Sequence, residues 1–210
     1  MARNAGEPAL PGAAYIPANV VVGTALVALA RRGGLSWEAL GMGRRHVGRG
    51  IRTGAVAAAV AAAAMLAGAA WPLTRGLFDD ERVAVDAGTG ELAYQTLVRI
   101  PVGTVAFEEL AFRGVLLGLL LRRLSPAAAV AVDSALFGLW HIVPTLATAR
   151  ANQITGAGRV GLVAGAVVVT AVGGAVFCAL RLRGRHLLAP ALLHLAFNDV
   201  GYFLSWWVRA

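Results

Sequence analysis

Residues 160–180 read VGLVAGAVVVTAVGGAVFCAL, 21 positions without a charged side chain. A helix needs about 20 mostly apolar residues to cross a bilayer, so this stretch alone predicts a membrane span. Working outward, five further stretches have the same character: 15–30, 53–73, 100–121, 126–148 and 186–208. The expected fold is therefore all-α, a polytopic transmembrane helical bundle of about six spans with any active site between its helices. Residues 1–14 read as a polar, Pro- and Gly-containing flexible tail, and 15–210 as a single integral-membrane domain.

Composition agrees. Charged residues make up 14% of the 210-residue chain, against roughly 25% in an ordinary soluble domain. The net charge of +8 comes from basic residues that are all Arg. They cluster between apolar runs, which is the signature of topology rather than of nucleic-acid binding. The bilayer is the implied partner, and nucleic acid is not. With the N-terminus outside, the inner loops hold eleven arginines, including Arg31, Arg32, Arg44, Arg45, Arg181 and Arg185, and the outer side six. Ala28-Leu29-Ala30 has a cleavage-site look, but Arg31-Arg32 directly after it favours a retained helix. Trp71, Trp206 and Trp207 fall at expected outer ends, as interfacial anchors do. The Arg-only, Ala- and Gly-rich usage suggests a prokaryotic plasma membrane as the location.

Smaller features add detail. Ser125-Pro126 is an N-cap followed by Pro at the first helical position. The run GLSWEALG in the loop 35–50 is expected to lie as a short interfacial helix around Trp37 and Leu40. The Ala-rich run 55–70 predicts close helix packing. The lone Cys178 permits neither a disulfide nor a Cys metal site within the chain.

The chemistry lies in what interrupts the spans. Glu108, Glu109, Arg113, Asp133 and Asp199 are the charged residues inside them, joined by His141 and His194. A charge at mid-bilayer costs about 2.5–3.5 kcal/mol on insertion scales, so such groups face the bundle interior and mark function by default. Glu109 and Arg113 are four apart and can pair on one helix face. Glu108 points about 100° away, which leaves it as the freer carboxylate and the candidate base. Phe137 and His141 share a stripe with Asp133, for which a partner arginine near the inner surface is expected. His194 and Asn198 are also four apart, and Pro190 one turn earlier is expected to kink their helix.

At about 1.5 Å per residue, Glu108 and His141 lie about 20 and 22 Å from the inner ends of their spans. His194 and Asn198 lie about 12 and 18 Å along theirs. Three helices thus bring polar groups to comparable depth, which suits one site better than three separate clasps. A carboxylate and histidines can activate water or hold a divalent metal, and an imidazole and an amide can stabilise an oxyanion. None of the expected spans contains a His-Glu-x-x-His, Gly-x-Ser or Gly-x-Gly-Asp motif. A proton-coupled transporter, using the same acids and histidines as a relay, and a non-catalytic membrane scaffold or immunity protein are the alternatives to hydrolysis.

Taken in order, Glu-Glu-x-x-x-Arg at 108–113, Phe-x-x-x-His at 137–141 and His-x-x-x-Asn at 194–198 resemble the CPBP family of intramembrane proteases. That is the CAAX prenyl endopeptidase and bacteriocin-processing (Abi) group. The resemblance covers roughly 92–205 and retains every signature position. It implies an intramembrane endopeptidase acting on a membrane-associated protein or peptide. It further implies that Glu108 and His141 activate the attacking water and that Glu109 and Arg113 support the site. His194 and Asn198 would stabilise the oxyanion or bind metal. If zinc is used, Glu108, His141 and His194 are its implied ligands; a metal-free glutamate mechanism fits the same residues. CAAX processing implies access from the cytosolic side, whereas the depths above put Glu108 and His141 in the outer half.

Overall fold

The computed structural model describes residues 12–80 and 88–209. Residues 1–11 of the expected tail 1–14 and the outer-loop charges Glu81, Arg82 and Asp86 lie outside them, and residues 12–14 belong to the first helix rather than to a tail. Among the described residues there are helices and no strands. Four helices are long and apolar enough to cross a membrane: Ala13–Arg32, Arg44–Ala70, Pro126–Ala151 and Gly156–Gly184. The all-α bundle is as expected, but the count of six is not. The expected spans 100–121 and 186–208 fall in two uninterrupted helical runs, 89–120 and 188–209, whose pitch changes along their length. The first runs through Thr89–Tyr94, Gln95–Ala106, Glu109–Leu116 and Leu117–Leu120. The second runs through Leu188–Leu195, Ala196–Val200 and Gly201–Arg209. Gln95–Ala106, Glu109–Leu116 and Ala196–Val200 are wide-turn π-helix, a form that usually marks functional sites. These two rods of changing pitch carry Glu108, Glu109, Arg113, His194 and Asn198. The charges that make the segments chemically useful also interrupt their apolarity.

We label Gly12–Arg32 α1, Val47–Ala70 α2, Pro126–Trp140 α3, Gly156–Gly184 α4 and Leu188–Leu195 α5. Helix α3 packs along α4, α2 along α5, and α1 along Gln95–Leu116. The closest approaches are at glycines. A Cβ on Gly138 would lie 2.6 Å from the Val167 carbonyl oxygen, and one on Gly54 2.7 Å from that of Ala189. The close approach of α2 thus falls at Gly54, before the run 55–70, which is mostly exposed, so the close packing expected there is not seen. Helix α3 starts as its sequence dictates, with the Ser125 hydroxyl accepting from the Ala128 amide and Pro126 at the first position. It stops at Trp140 because Pro144 has no N–H for the Trp140 carbonyl and its ring crowds that oxygen. His141 sits at the break, and the chain resumes helix at Ile142–Ala151.

Two local expectations are corrected. Residues 37–41 form turns rather than an interfacial helix. Leu35 and Leu40 are buried against Ala30 and Val115, so the segment is drawn into the end of the bundle. The Arg181 guanidinium reaches the Glu38 and Ala39 carbonyl oxygens at 3.2 and 2.8 Å, and Trp37 remains exposed beneath Arg31. Pro190 does not kink a helix. Helix α5 begins only at Leu188, so Pro190 lies in the first turn, where no intrahelical donor is missing. At the opposite end of the bundle, the Asp80 amide donates to Ser205 Oγ at 3.0 Å. Arg75 there lies over the Trp207 ring.

Candidate active site

An aromatic floor underlies the polar groups. Phe112, Phe137, Phe177 and Leu193, from four different helical segments, form one buried cluster. Phe137 meets Phe112 edge-on at 5.1 Å and Phe177 at 6.1 Å. Phe177 stacks on the His194 ring at 4.8 Å, and Phe137 meets the His141 ring at 4.7 Å. Such ring pairs fix side-chain orientation beyond what area burial supplies. Phe137, the first residue of Phe-x-x-x-His, is thus the floor on which both imidazoles stand.

Phe107 and Glu108 form a short α step between two π segments. Successive glutamates therefore leave the helix in different directions, and both converge on His194. His194 Nδ1 donates to Glu109 Oε1 at 2.8 Å. Its Nε2 faces Glu108 Oε2 at 3.7 Å, too far for a direct hydrogen bond. Trp140 Nε1 donates to the other Glu108 oxygen, Oε1, at 3.2 Å. Glu108 Oε2 is buried with no hydrogen-bond partner. The expected Glu109–Arg113 pair is present at 3.5 Å.

His141 Nδ1 donates to the Phe137 carbonyl at 2.8 Å. When neutral, both histidines are thus protonated on Nδ1 and carry a bare Nε2. His141 lies within electrostatic range of Glu108, yet among the described residues the histidine within 4 Å of Glu108 is His194. Asn198 is half-buried in the π segment after His194, and among the described residues no hydrogen bond restrains its amide.

Asp133 is fully buried and its partner is Arg113, Nε to Oδ1 at 3.7 Å, not an arginine near the inner surface. Cys178 Sγ donates to the same oxygen at 3.1 Å. Trp140 is the site residue that sequence reasoning left out. Asp133 was marked by its charge inside a span and by its place four residues before Phe137, but with a different arginine as its partner. Trp140 gave no signal, since an aromatic at a helix end usually reads as an interfacial anchor.

The ordered motifs and the helical bundle around them decide the family. The Rce1-like family, type II CAAX prenyl endopeptidases, matches residues 91–200, just over half of the chain. The chain belongs to this Rce1-like family. Neither a curated protein nor a solved structure matches it. Family membership makes this Rce1-like protein a membrane protease of CAAX endopeptidase type, consistent with its four long apolar helices. The match takes in Glu108, Glu109, Arg113, His141, His194 and Asn198. As for a metal, no three His, Cys, Asp or Glu side chains converge on one point among the described residues. Glu108 and His194 supply two donors, and His141 does not complete a set of three in this arrangement. The donor geometry therefore does not fit the zinc site implied by Glu108, His141 and His194.

Proposed function

We propose that this protein hydrolyses a peptide bond of a membrane-associated protein or peptide, with a water activated by Glu108. One observation carries the reading. Glu108 Oε2 and His194 Nε2 are both acceptors, and they face each other at 3.7 Å with no hydrogen between them. Two such atoms call for a bridging donor. A water about 2.8 Å from each fits the spacing and can donate one hydrogen to each.

The chemistry follows from those atoms. Glu108 takes a proton from the water as its oxygen bonds to the carbonyl carbon of the substrate. The carbonyl π electrons move onto oxygen, where the Asn198 amide donates a hydrogen bond to the developing charge. The C–N bond then breaks, and Glu108 returns the proton to the departing nitrogen. Glu109 accepts from His194 Nδ1 and so keeps Nε2 as an acceptor. Arg113 holds Glu109 in turn. His141 stands beside Glu108 as a second imidazole with its Nε2 free for water or substrate. This division differs from the one the resemblance implied, where His141 rather than His194 shares the water. The proposal includes a prokaryotic plasma membrane, from the Arg-only, Ala- and Gly-rich composition, and an N-terminus on its outer side, from the arginine distribution.

The test compares new protein termini in membranes of cells expressing wild type or Glu108→Gln at equal level. Termini that appear only with wild type are expected, and they name the substrate. Equal termini from two equally inserted proteins would overturn the reading.

A further inference from the structure

Arg113 is fully buried, with its guanidinium 3.9 Å from the Phe137 ring centroid and 5.0 Å from that of Phe177. It stands between two acids and is in tight contact with neither, at 3.5 Å from Glu109 and 3.7 Å from Asp133. A contact ion pair closes to about 2.8 Å. The Glu109 oxygen nearest Arg113, Oε1, is also the one that accepts from His194 Nδ1. The two donors therefore share one atom, and the position of the Glu109 carboxylate is set by both.

We propose that Asp133 is a positioning residue for catalysis, acting through Arg113. Its carboxylate draws the guanidinium away from Glu109, so that Glu109 keeps its place beside His194 Nδ1. Cys178 fixes Asp133 by donating to Oδ1 from α4. Asp133, Phe137 and His141 lie four apart along α3, so one stripe delivers the arginine's counter-charge, its aromatic platform and the second imidazole. Without the Asp133 charge, Arg113 closes on Glu109. The Glu109 carboxylate then shifts toward Arg113, and His194 Nε2 no longer holds a fixed aim at Glu108. Burying a charge as deeply as Asp133 is costly unless it is paired, and a purely packing role needs no acid there.

The inference rests on Glu108 and His194 as the reacting pair, so Glu108→Gln is measured in parallel. The probe is a quenched-fluorescent farnesylated peptide ending in a CAAX tetrapeptide. If that is not cut, the peptide spanning the terminus found in cells replaces it. Asp133→Asn keeps the shape and removes the charge. Loss of a supporting partner one layer out costs about 10–100-fold in activity. The expected result is a kcat lower by that factor with KM within about threefold, because Asp133 does not touch substrate. If Asp133 acts only through Arg113, the double variant R113Q/D133N turns over within about twofold of R113Q.

Multiplying losses, or a D133N variant with wild-type kcat beside an inactive E108Q, would overturn the inference and leave the proposed function standing. An active E108Q would instead remove the proposed function. Should D133N fail to fold, Cys178→Ala and Cys178→Ser decide. A several-fold slower C178A rescued by C178S supports the network, and two wild-type rates overturn it.

Discussion

Replacing Trp140 by Phe isolates one hydrogen bond at the candidate base. The indole N–H meets Glu108 Oε1 at 3.2 Å, while the ring contacts Phe107 and Phe112 at 6.1 and 5.9 Å between centroids. Phenylalanine keeps an aromatic ring against both neighbours and removes only the donor. A hydrogen bond to a charged acceptor contributes about 1.5–3 kcal/mol. At 3.2 Å this one is longer than the 2.7–2.9 Å typical of charge-assisted bonds, so the lower end applies. With 1.36 kcal/mol per tenfold, about 1.5 kcal/mol corresponds to roughly a tenfold loss in kcat. The loss arises because Glu108 is freed to rotate, and Oε2 no longer faces His194 on every turnover. Trp140 is 46% exposed, so the thermal midpoint in detergent should change little. Initial rates on the cleaved peptide, measured beside the unfolding midpoint, give the answer. A W140F protein within twofold of wild-type kcat would show that the indole does not position Glu108. A lower rate that follows a lower midpoint would make Trp140 a packing residue only.

Other outcomes follow from the same contacts. Gly138→Ala puts a Cβ 2.6 Å from a backbone oxygen of α4. The two helices must move apart, at an overpacking cost of about 1–3 kcal/mol, and His141 moves with α3. Both the unfolding midpoint and turnover should fall. Ser125→Ala removes a long cap bond of 3.4 Å and should cost about 0.5 kcal/mol with unchanged turnover. Because three metal donors do not converge among the described residues, the purified protein should hold well under one zinc per chain and keep its rate after chelation. One zinc per chain, lost together with activity, would refute that.

The fold was legible wherever apolar length alone decides it. Residues 160–180 became part of one long helix and 126–148 a span interrupted at His141, and Ser125-Pro126 starts α3 where its chemistry requires. Apolar length fails as a guide where a segment carries its own polar groups. The stretches 100–121 and 186–208 read as spans, yet their backbone widens into π turns around Glu109 and Asn198. A helical-wheel reading assumes one constant turn, and no residue in Ala196–Val200 announces a change of pitch. The same assumption set Glu108 about 100° from Glu109. In the folded chain both glutamates meet His194 on its two nitrogens.

The local pairs were legible because they lie four residues apart. Glu109–Arg113 forms as expected, and His141 turns its Nδ1 to the carbonyl of Phe137. Contacts between helices were not. Arg113 reaches across to Asp133 over 20 residues of chain, and Cys178 joins them from 45 residues further on. Nothing in periodicity ranks one buried acid as partner over another. The counter-charge to Arg113 can be recognised only once the floor formed by Phe112, Phe137 and Phe177 places the guanidinium. The two layers of the site therefore differ in how they are encoded. The reacting groups come in short motifs along single helices. The groups that hold them come from the packing of α3 against α4, where Gly138 permits the close approach on which that alignment depends.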